Sequence, residues 1–488
     1  MGELEKFILD SHQIFFGLLT LAFCFSIILD VRKLNAGVSR ERRIFYTTFI
    51  VIIGAGLSSA FLDVWQGAGS WFSIQFGLLC AISLVSPKYA ASFFLFLLLT
   101  RPWETYSNDL MQTMPKDIFY LCCISLIGHK LAKKEVYFRF NLGTVLLIGF
   151  SIWAFLSGFL SSHFAEAMVK YQEVFVKGVI LFLFLQNSFE SKEDLLPAKL
   201  ALALAILDLG TISFYSTYLE QFQTITSEGS QRLKTVGILG NSNDIAAILV
   251  LALPFCWFLF GKLKPRTITY LISALICSPV FWLIWSTQSR GALLALAACI
   301  GAFLFTKLKT KKSMFLVGCL VLSVAIGSFS LLNRGQADLE GSSNNRIIYW
   351  KAGLNMAVRN PLFGVGFWGY NINLPSYAVG GKLGSEGGHM TAHSSWIQVL
   401  SENGFIGFAL YFGLWVFALK RSWHDRKNSP EYFVGLVGYG VASSFLSHAY
   451  QLYPYILTGI CITHSYMVRE KTIEEIEAKT IGELAWNK

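Results

Sequence analysis

Long apolar runs separated by short polar segments make up most of this chain. A helix needs roughly 20 apolar residues to cross the hydrocarbon core of a bilayer, and runs of about that length recur along the whole sequence. The pattern predicts an all-α, polytopic membrane protein with about 12–15 transmembrane helices. The predicted spans are residues 14–31, 44–62, 71–86, 89–100, 117–129, 142–160, 171–187, 199–215, 244–260, 267–285, 291–306, 313–332, 396–419, 433–449 and 453–468.

The composition agrees with this pattern. Of the 488 residues, 54% are hydrophobic and only 14% are charged, whereas a soluble domain carries about 25% charged residues. Lipid must therefore cover much of the surface. The acidic residues Glu3, Glu5 and Asp10 precede the first apolar run, although a cleaved signal peptide begins with positive charge. We therefore expect the first span to be retained.

Basic residues concentrate in alternate loops. These loops lie around residues 32–43, 130–139, 262–266, 307–312 and 420–427, and the short loops between them hold few Lys or Arg. Cytoplasmic loops of membrane proteins carry such an excess, so the net charge of +10 indicates orientation and not a nucleic-acid partner. The alternation predicts an outer N-terminus and a cytoplasmic C-terminal tail.

Two long loops fall on the outer side by this reasoning. Within the second loop, a helix is predicted from Asn344 to Asn360, because Pro361 ends it. We predict five regions: an N-terminal transmembrane region at 1–140, a transmembrane core at 141–332 with the outer loop 216–243, a large outer loop at 333–395, C-terminal transmembrane helices at 396–468 and a cytoplasmic tail at 469–488.

Arg290 is the most informative cation on the predicted outer side. It stands in Ser289-Arg290-Gly291 at the start of a span, where free backbone N–H groups attract anions. A guanidinium adds forked hydrogen bonds that suit phosphate oxygens. The alternative is an arginine whose side chain simply extends to the membrane interface. The small neighbours Ser289 and Gly291 would let an anion approach closely, and they favour an anion site.

Other polar residues of the outer side have ordinary explanations as well as chemical ones. Arg232 and Lys234 fit solvated loop charges, and Arg346 fits contact with lipid headgroups. His393 precedes a new helix for which Ser394 or Ser395 is a plausible N-cap. An imidazole is the usual general base near neutral pH, although a loop hydrogen bond would also account for His393. His389 is the rival histidine, in a glycine-rich stretch.

Several kinds of site are missing from the outer loops. They contain no paired Asp-x-Asp motif, no His/Cys ligand spacing and no serine-nucleophile motif. The nine cysteines all fall inside apolar runs, so no disulfide framework is predicted. Chemistry on this side would depend on arginines for an anion and on one histidine for a proton.

A series of motifs follows one order along the chain: Arg232, Gly240-Asn241-Ser242-Asn243, Ser289-Arg290-Gly291, Asn345-Arg346 with Trp350, Asn360-Pro361-Leu362-Phe363-Gly364-Val365-Gly366, Ala392-His393-Ser394 and Glu402-Asn403-Gly404-Phe405-Ile406-Gly407. This order resembles the O-antigen ligase/polymerase superfamily, which includes O-linking oligosaccharyltransferases. The resemblance covers roughly residues 200–450 and departs from the family at Ser394, where many members have Asn.

The resemblance implies an inverting glycosyltransferase of the bacterial inner membrane that needs no metal ion and no cofactor, with its active site facing the periplasm. The implied donor is a glycan on undecaprenyl pyrophosphate. The implied acceptor is lipid A-core in ligases, another glycan in polymerases, or a protein in oligosaccharyltransferases. Matched position by position, the resemblance implies that Arg232, Arg290 and Arg346 bind the pyrophosphate, that Arg232 and Arg290 are also catalytic, and that His393 is the general base. Lys234 and His389 are further candidates that would support the site.

Two other classes of function remain open from the residues alone. A non-enzymatic transporter of lipid-linked glycan would share the basic outer residues, but it should also have ionisable groups deep in its spans. Lys177 and Asp208 are the main candidates for such groups. An assembly scaffold would tolerate substitution in the outer loop.

Overall fold

A computed structural model describes the chain over most of its length. The described residues are 3–33, 69–104, 109–134, 137–218, 223–225, 231–233, 241–260, 265–308, 318, 336–378 and 390–486. The predicted spans 44–62 and 313–332 lie outside these ranges, apart from residue 318.

The described residues are almost entirely helical, which confirms the all-α prediction. Two three-residue strands, β1 (Gln223–Ile225) and β2 (Gln231–Leu233), form the one small sheet of this part of the chain. The helices are α1 Glu3–Lys33, α2 Gly69–Val85, α3 Pro87–Thr100, α4 Asp109–Lys133, α5 Leu142–Phe159, α6 Phe164–Lys170, α7 Val176–Ser188, α8 Leu195–Tyr218, α9 Ser242–Trp257, α10 Arg266–Ser286, α11 Arg290–Lys307, α12 Gln336–Arg359, α13 Tyr370–Tyr377, α14 Ser395–His424, α15 Pro430–Ala442 and α16 Leu452–Trp486.

Six segments of the described helices are long and apolar enough to cross a membrane. The prediction of a multi-pass membrane protein is therefore confirmed. The six segments are Asp10–Ile27, Leu142–Phe159, Lys192–Tyr215, Thr267–Ser286, Arg290–Lys307 and Ser395–His424.

The predicted span 433–449 is wrong at its C-terminal end. Helix α15 stops at Ala442, a short 3₁₀ turn covers Ser443–Phe445, and the next helix begins only at Leu452. The backbone between them bonds to another helix instead: Ser395 Oγ donates to the Leu446 carbonyl at 2.7 Å and accepts from the His448 N–H at 2.9 Å. These tertiary hydrogen bonds replace the bonds of a continuous helix. An apolar run in the sequence does not reveal this replacement. The last helix also extends beyond the predicted 468, to Trp486.

The chain divides into two compact units. The first comprises Met1–Phe138, Asn187–Thr224 and Gln231–Thr287. Its core includes Phe16, which contacts the rings of Phe76, Phe93 and Phe96 edge-on or tilted at 5.2–6.2 Å. Helix α8 packs on both α1 and α3, so this unit has a continuous apolar interior.

A buried polar cluster joins α1 to α8 within the first unit. Ser11 Oγ donates to Asp208 Oδ1 at 2.6 Å, and His12 Nδ1 lies 2.6 Å from Asp208 Oδ2. All three side chains are buried. Asp208, one of the two groups that a transporter might use, therefore has a clear role in helix packing, and the other, Lys177, is exposed.

Replacing Asp208 by alanine should destabilise the protein strongly. The change leaves the buried His12 and Ser11 side chains without their shared acceptor, and breaking a buried pair of this kind costs about 3 kcal/mol or more. We expect a clearly lower midpoint in thermal unfolding of the purified protein. Asp10→Ala, which removes an exposed carboxylate two residues from His12, is the matched control, and equal midpoints for the two variants would contradict this role.

The second unit comprises Arg139–Gln186, Ile225–Ser230 and Gln288–Lys488. Helix α14 lies against α5, α12 and α16, and α11 packs along α15. This unit contains Arg290, Arg346 and His393, so three of the predicted site residues belong to one compact body.

Candidate functional site

Helix α12 forms the base of a small core outside the long apolar helices of the second unit. Tyr349, Ala352 and Met356 on α12 are buried together with Tyr370 and Leu374 of α13. A Cβ added at Gly353 would lie 2.4 Å from Ile397 Cγ2, so α12 approaches the start of α14 very closely. The predicted helix at 344–360 is confirmed up to Arg359, and it forms the second part of α12, which begins earlier, at Gln336.

His393 is held between two fixed neighbours. Ala392 is buried in the core just described, and its carbonyl accepts a hydrogen bond from Trp350 Nε1 at 3.1 Å. Ser394 on the other side is the N-cap of α14, and its side chain accepts from the Ile397 N–H at 3.5 Å. Of the two serines predicted as caps, Ser394 is the one that caps.

The backbone of His393 is in the left-handed region, with φ of 47°. A residue with a Cβ rarely adopts this conformation, and such positions are concentrated at functional sites. The half-buried imidazole lies 6.0 Å from the Tyr349 ring, measured between centroids. The local fold thus fixes where this imidazole stands.

Arg290 is the first residue of α11, as predicted from its position. Ser289 is the N-cap, and its side chain accepts from the Ala292 N–H at 3.4 Å. The preceding Gln288 has a φ of 51°, so a left-handed residue comes shortly before this helix as well as before α14. The half-buried Arg290 therefore stands at the positive end of a helix dipole, where an anion is stabilised.

The ring of Phe445 lies close to all three of these segments. The Arg346 guanidinium carbon is 6.0 Å from the ring centroid, and the Trp350 ring is 6.3 Å away. A Cβ added at Gly291 would lie only 2.9 Å from Phe445 Cβ. Because Gly291 follows Arg290 and Trp350 bonds to the residue before His393, the neighbourhood of Phe445 brings together Arg290, Arg346 and His393. We call Phe445, Arg290, Gly291, Arg346, Trp350 and His393 the Phe445 cluster.

The glycine-rich turn after α12 docks on a break in α14. Gly364 and Gly404 both have a φ of 66°, and α14 departs from helical geometry at Gly404. The Val365 N–H donates to the Ser401 carbonyl at 2.9 Å, and the Phe405 N–H donates to the Pro361 carbonyl at 2.8 Å. Added Cβ atoms at Gly364 and Gly404 would lie 2.3 Å from backbone oxygens of the partner segment. Only glycine fits there, so the turn is a rigid joint.

The acidic residue of this joint also holds α13. Glu402 Oε1 accepts from the Tyr370 N–H at 3.0 Å, at the start of α13, where a carboxylate is favoured by the helix dipole. Burial raises the pKa of Tyr370 well above its usual value, and the nearby Glu402 raises it further. Tyr370 therefore stays a neutral hydroxyl, which donates to the Tyr349 carbonyl at 2.6 Å. Glu402 and Tyr370 thus tie α13 to the joint and to α12.

Three predicted residues are not joined to this cluster by the structure. The backbone of Arg232 lies in β2, but its side chain is outside the described residues, as are Lys234 and His389 entirely. Their predicted roles in pyrophosphate binding and support therefore stay predictions. Among the described residues, no three His, Cys, Asp or Glu side chains are grouped so as to hold a metal ion.

Sequence reasoning missed Phe445, which was assigned to the interior of the predicted span 433–449. His448 was also missed: it is buried, its Nδ1 lies 3.0 Å from the Tyr439 hydroxyl, and its N–H bonds to Ser395 beside the Phe445 cluster. The contacts of the Phe445 ring with Trp350 and Arg346 leave no signal in a single apolar run.

The comparisons with known proteins agree with this picture. A comparison with curated proteins found no match. The family model described as O-antigen ligase matches residues 281–412, a segment that includes Arg290, Arg346, His393 and the joint at Gly404 but not Phe445. This match, to part of the chain, supports the resemblance to the O-antigen ligase superfamily.

Proposed function

We propose that this protein transfers a glycan from undecaprenyl pyrophosphate to an acceptor hydroxyl on the periplasmic face of the bacterial inner membrane. The acceptor that fits the matched family best is a lipid A-core sugar, as in an O-antigen ligase. The observation that carries the proposal is the Phe445 cluster. The Arg346 guanidinium lies near the Phe445 ring, Gly291 beside Arg290 approaches Phe445 closely, and Ala392 beside His393 accepts a hydrogen bond from Trp350.

The reaction follows from these groups. The acceptor hydroxyl attacks the anomeric carbon from the face opposite the pyrophosphate, which inverts that centre. The bond from the anomeric carbon to the pyrophosphate oxygen breaks, and the oxygen keeps the electron pair. His393 takes the hydroxyl proton as the new glycosidic bond forms, and undecaprenyl pyrophosphate leaves.

The arginines act on the departing charge. Negative charge grows on the pyrophosphate as the bond breaks, so a fixed cation stabilises the transition state more than the bound donor. Arg290 adds its charge to that of a helix N-terminus, and Arg346 comes from α12, with its guanidinium carbon 6.0 Å from the Phe445 ring centroid. Arg232 is the third proposed contact. The positive charge that stabilises the leaving pyrophosphate is then supplied by the arginines, and we propose that no metal ion is needed.

Surface polysaccharide from a deletion strain tests this function. We expect glycan attached to lipid A-core to disappear while carrier-linked polymer accumulates, and a plasmid copy of the wild type to restore attachment. A plasmid copy that encodes His393→Ala is the control: it should be expressed at the wild-type level but should not restore attachment. Attached glycan that persists at normal length and amount would contradict the proposal.

The same experiment separates the related activities. Attached glycan of a single repeat unit would indicate a polymerase, and an unmodified glycoprotein would indicate a protein oligosaccharyltransferase. Carrier-linked glycan trapped on the cytoplasmic leaflet would indicate a transporter. Each of these outcomes would replace the ligase proposal.

A further inference from the structure

A second basic site lies in the second unit, away from the Phe445 cluster. A pocket of ≈ 340 Å³ opens between the start of α5, the end of α14 and the middle of α16. Its lining includes two arginines, Arg421 and Arg469, and two aromatic residues, Phe417 and Tyr466. No acidic residue belongs to the lining, so the pocket favours an anion.

The arginines are arranged on the aromatic rings. The Arg421 guanidinium carbon lies 5.0 Å from the centroid of Phe417, and that of Arg139 lies 5.5 Å from the centroid of Tyr466. Stacking on rings limits the positions that a long side chain takes. Three guanidinium groups therefore stand at or beside one small pocket, and guanidinium binds phosphate oxygens in a forked geometry.

The start of α5 adds to the positive potential. Asn141 is its N-cap, and the Asn141 side chain accepts from the Thr144 N–H at 3.2 Å. Asn141 and Leu142 both line the pocket. The N-terminus of this 18-residue helix thus faces the same space as the arginines, where its dipole attracts an anion.

The pocket and the Phe445 cluster lie at opposite ends of helix α14. Helix α14 starts next to His393 and reaches Arg421 in its last turn. The part after the break at Gly404, residues 405–424, spans about 30 Å at 1.5 Å per residue, which is about the thickness of a bilayer core. The basic loops at 130–139 and 420–427 predict that this end faces the cytoplasm.

An apolar surface continues from the pocket along α5. Phe140, Leu142 and Val145 are 65%, 55% and 54% exposed, which in a membrane protein means contact with lipid chains. A free phosphate ion would make no use of this surface. A phospholipid would use both parts, with its headgroup among the arginines and its acyl chains along α5.

We propose that this pocket binds the headgroup of an anionic phospholipid from the cytoplasmic leaflet. Its volume is at the small end of the range of ligand pockets, about 300–1,000 Å³, which suits a headgroup and not a whole lipid. Basic pockets between transmembrane helices on the cytoplasmic side commonly bind such headgroups. Bound there, the lipid would fix the ends of α5, α14 and α16 relative to one another, and α14 begins next to His393 of the Phe445 cluster.

Lipid binding to the purified full-length protein tests the proposal. We would titrate palmitoyl-oleoyl phosphatidylglycerol into the delipidated protein and measure bound lipid by native mass spectrometry. The double variant Arg421→Gln/Arg469→Gln should bind this lipid about 30-fold more weakly, taking about fivefold for each basic residue. The matched control, Lys420→Gln/Lys427→Gln, removes two exposed cations of the same face that do not line the pocket and should bind like the wild type.

Two further measurements on the wild type keep the test independent of how the variants fold. A phosphatidylglycerol with a photoreactive headgroup should label peptides that contain Arg421 or Arg469, and palmitoyl-oleoyl phosphatidylcholine should compete poorly. Equal loss of binding in the control variant, or labelling spread evenly over the basic loops, would overturn the proposal. Full competition by inorganic phosphate at millimolar concentration would show a phosphate-ion site instead.

Discussion

Glycan transfer should fall by about 10²–10⁴-fold when His393 is replaced by alanine, the range that a positioned general base contributes. The imidazole accepts the acceptor hydroxyl's proton in the proposed reaction, and alanine offers no acceptor at that point. The loss should appear in the turnover rate more than in donor binding, because the arginines remain. The measurement is transfer by purified protein in proteoliposomes, with saturating carrier-linked glycan.

The control for this variant is the histidine at the other end of the same helix. His424 is the last residue of α14 and is exposed, so His424→Ala should keep wild-type activity. His389→Ala should be affected less than His393→Ala if His389 only supports the site. A His393→Ala protein that folds and transfers glycan at the wild-type rate would remove His393 from the mechanism.

Replacing Arg290 by alanine should lower the transfer rate by about 10²–10³-fold, the usual effect of losing one donor that stabilises transition-state charge. Arg290→Lys should recover only part of the rate, because an ammonium group keeps the charge but not the forked geometry. Since the charge on the pyrophosphate grows during the reaction, turnover should fall more than donor affinity. Single-turnover rates together with donor binding separate the two effects.

Helix α11 provides the matched control for Arg290. Lys307 is the last residue of this helix and is exposed, so Lys307→Ala changes the charge at the opposite end and should leave transfer unchanged. If Arg290→Ala weakened binding of the donor and left turnover intact, Arg290 would hold the pyrophosphate without stabilising its departure. Unchanged rates and binding in Arg290→Ala would contradict both roles.

The sequence predicted the helical segments. It also predicted where several of them begin, at residues that can cap a helix. Ser289 before α11, Asn241 before α9 and Ser394 before α14 cap helices where the sequence predicted that helices begin. These positions were predictable because capping is a local interaction, between a side chain and the N–H groups two or three residues later. The end of α15 was not, since it depends on bonds from Ser395 to residues about 50 positions away.

The glycine motifs were recognised in the sequence, but their role was not. The turn at Gly364 is fixed to the break at Gly404 by backbone hydrogen bonds. The spacing of glycines shows that the backbone is free to adopt unusual angles. It does not show which other segment approaches, because that partner is some 40 residues further along the chain.

The sequence by itself determined that this chain is a helical membrane protein and which ionisable residues could take part in chemistry. Hydrophobicity and charge decide both matters locally, since each helix must match the bilayer and each loop must carry its own charges. Only the tertiary structure decided that Arg290, Arg346 and His393 share the neighbourhood of Phe445 and that a second arginine pocket lies at the other end of α14. The reason is physical: packing of aromatic rings and close contacts at glycines join residues far apart in the chain, and neither leaves a periodic pattern in an apolar run.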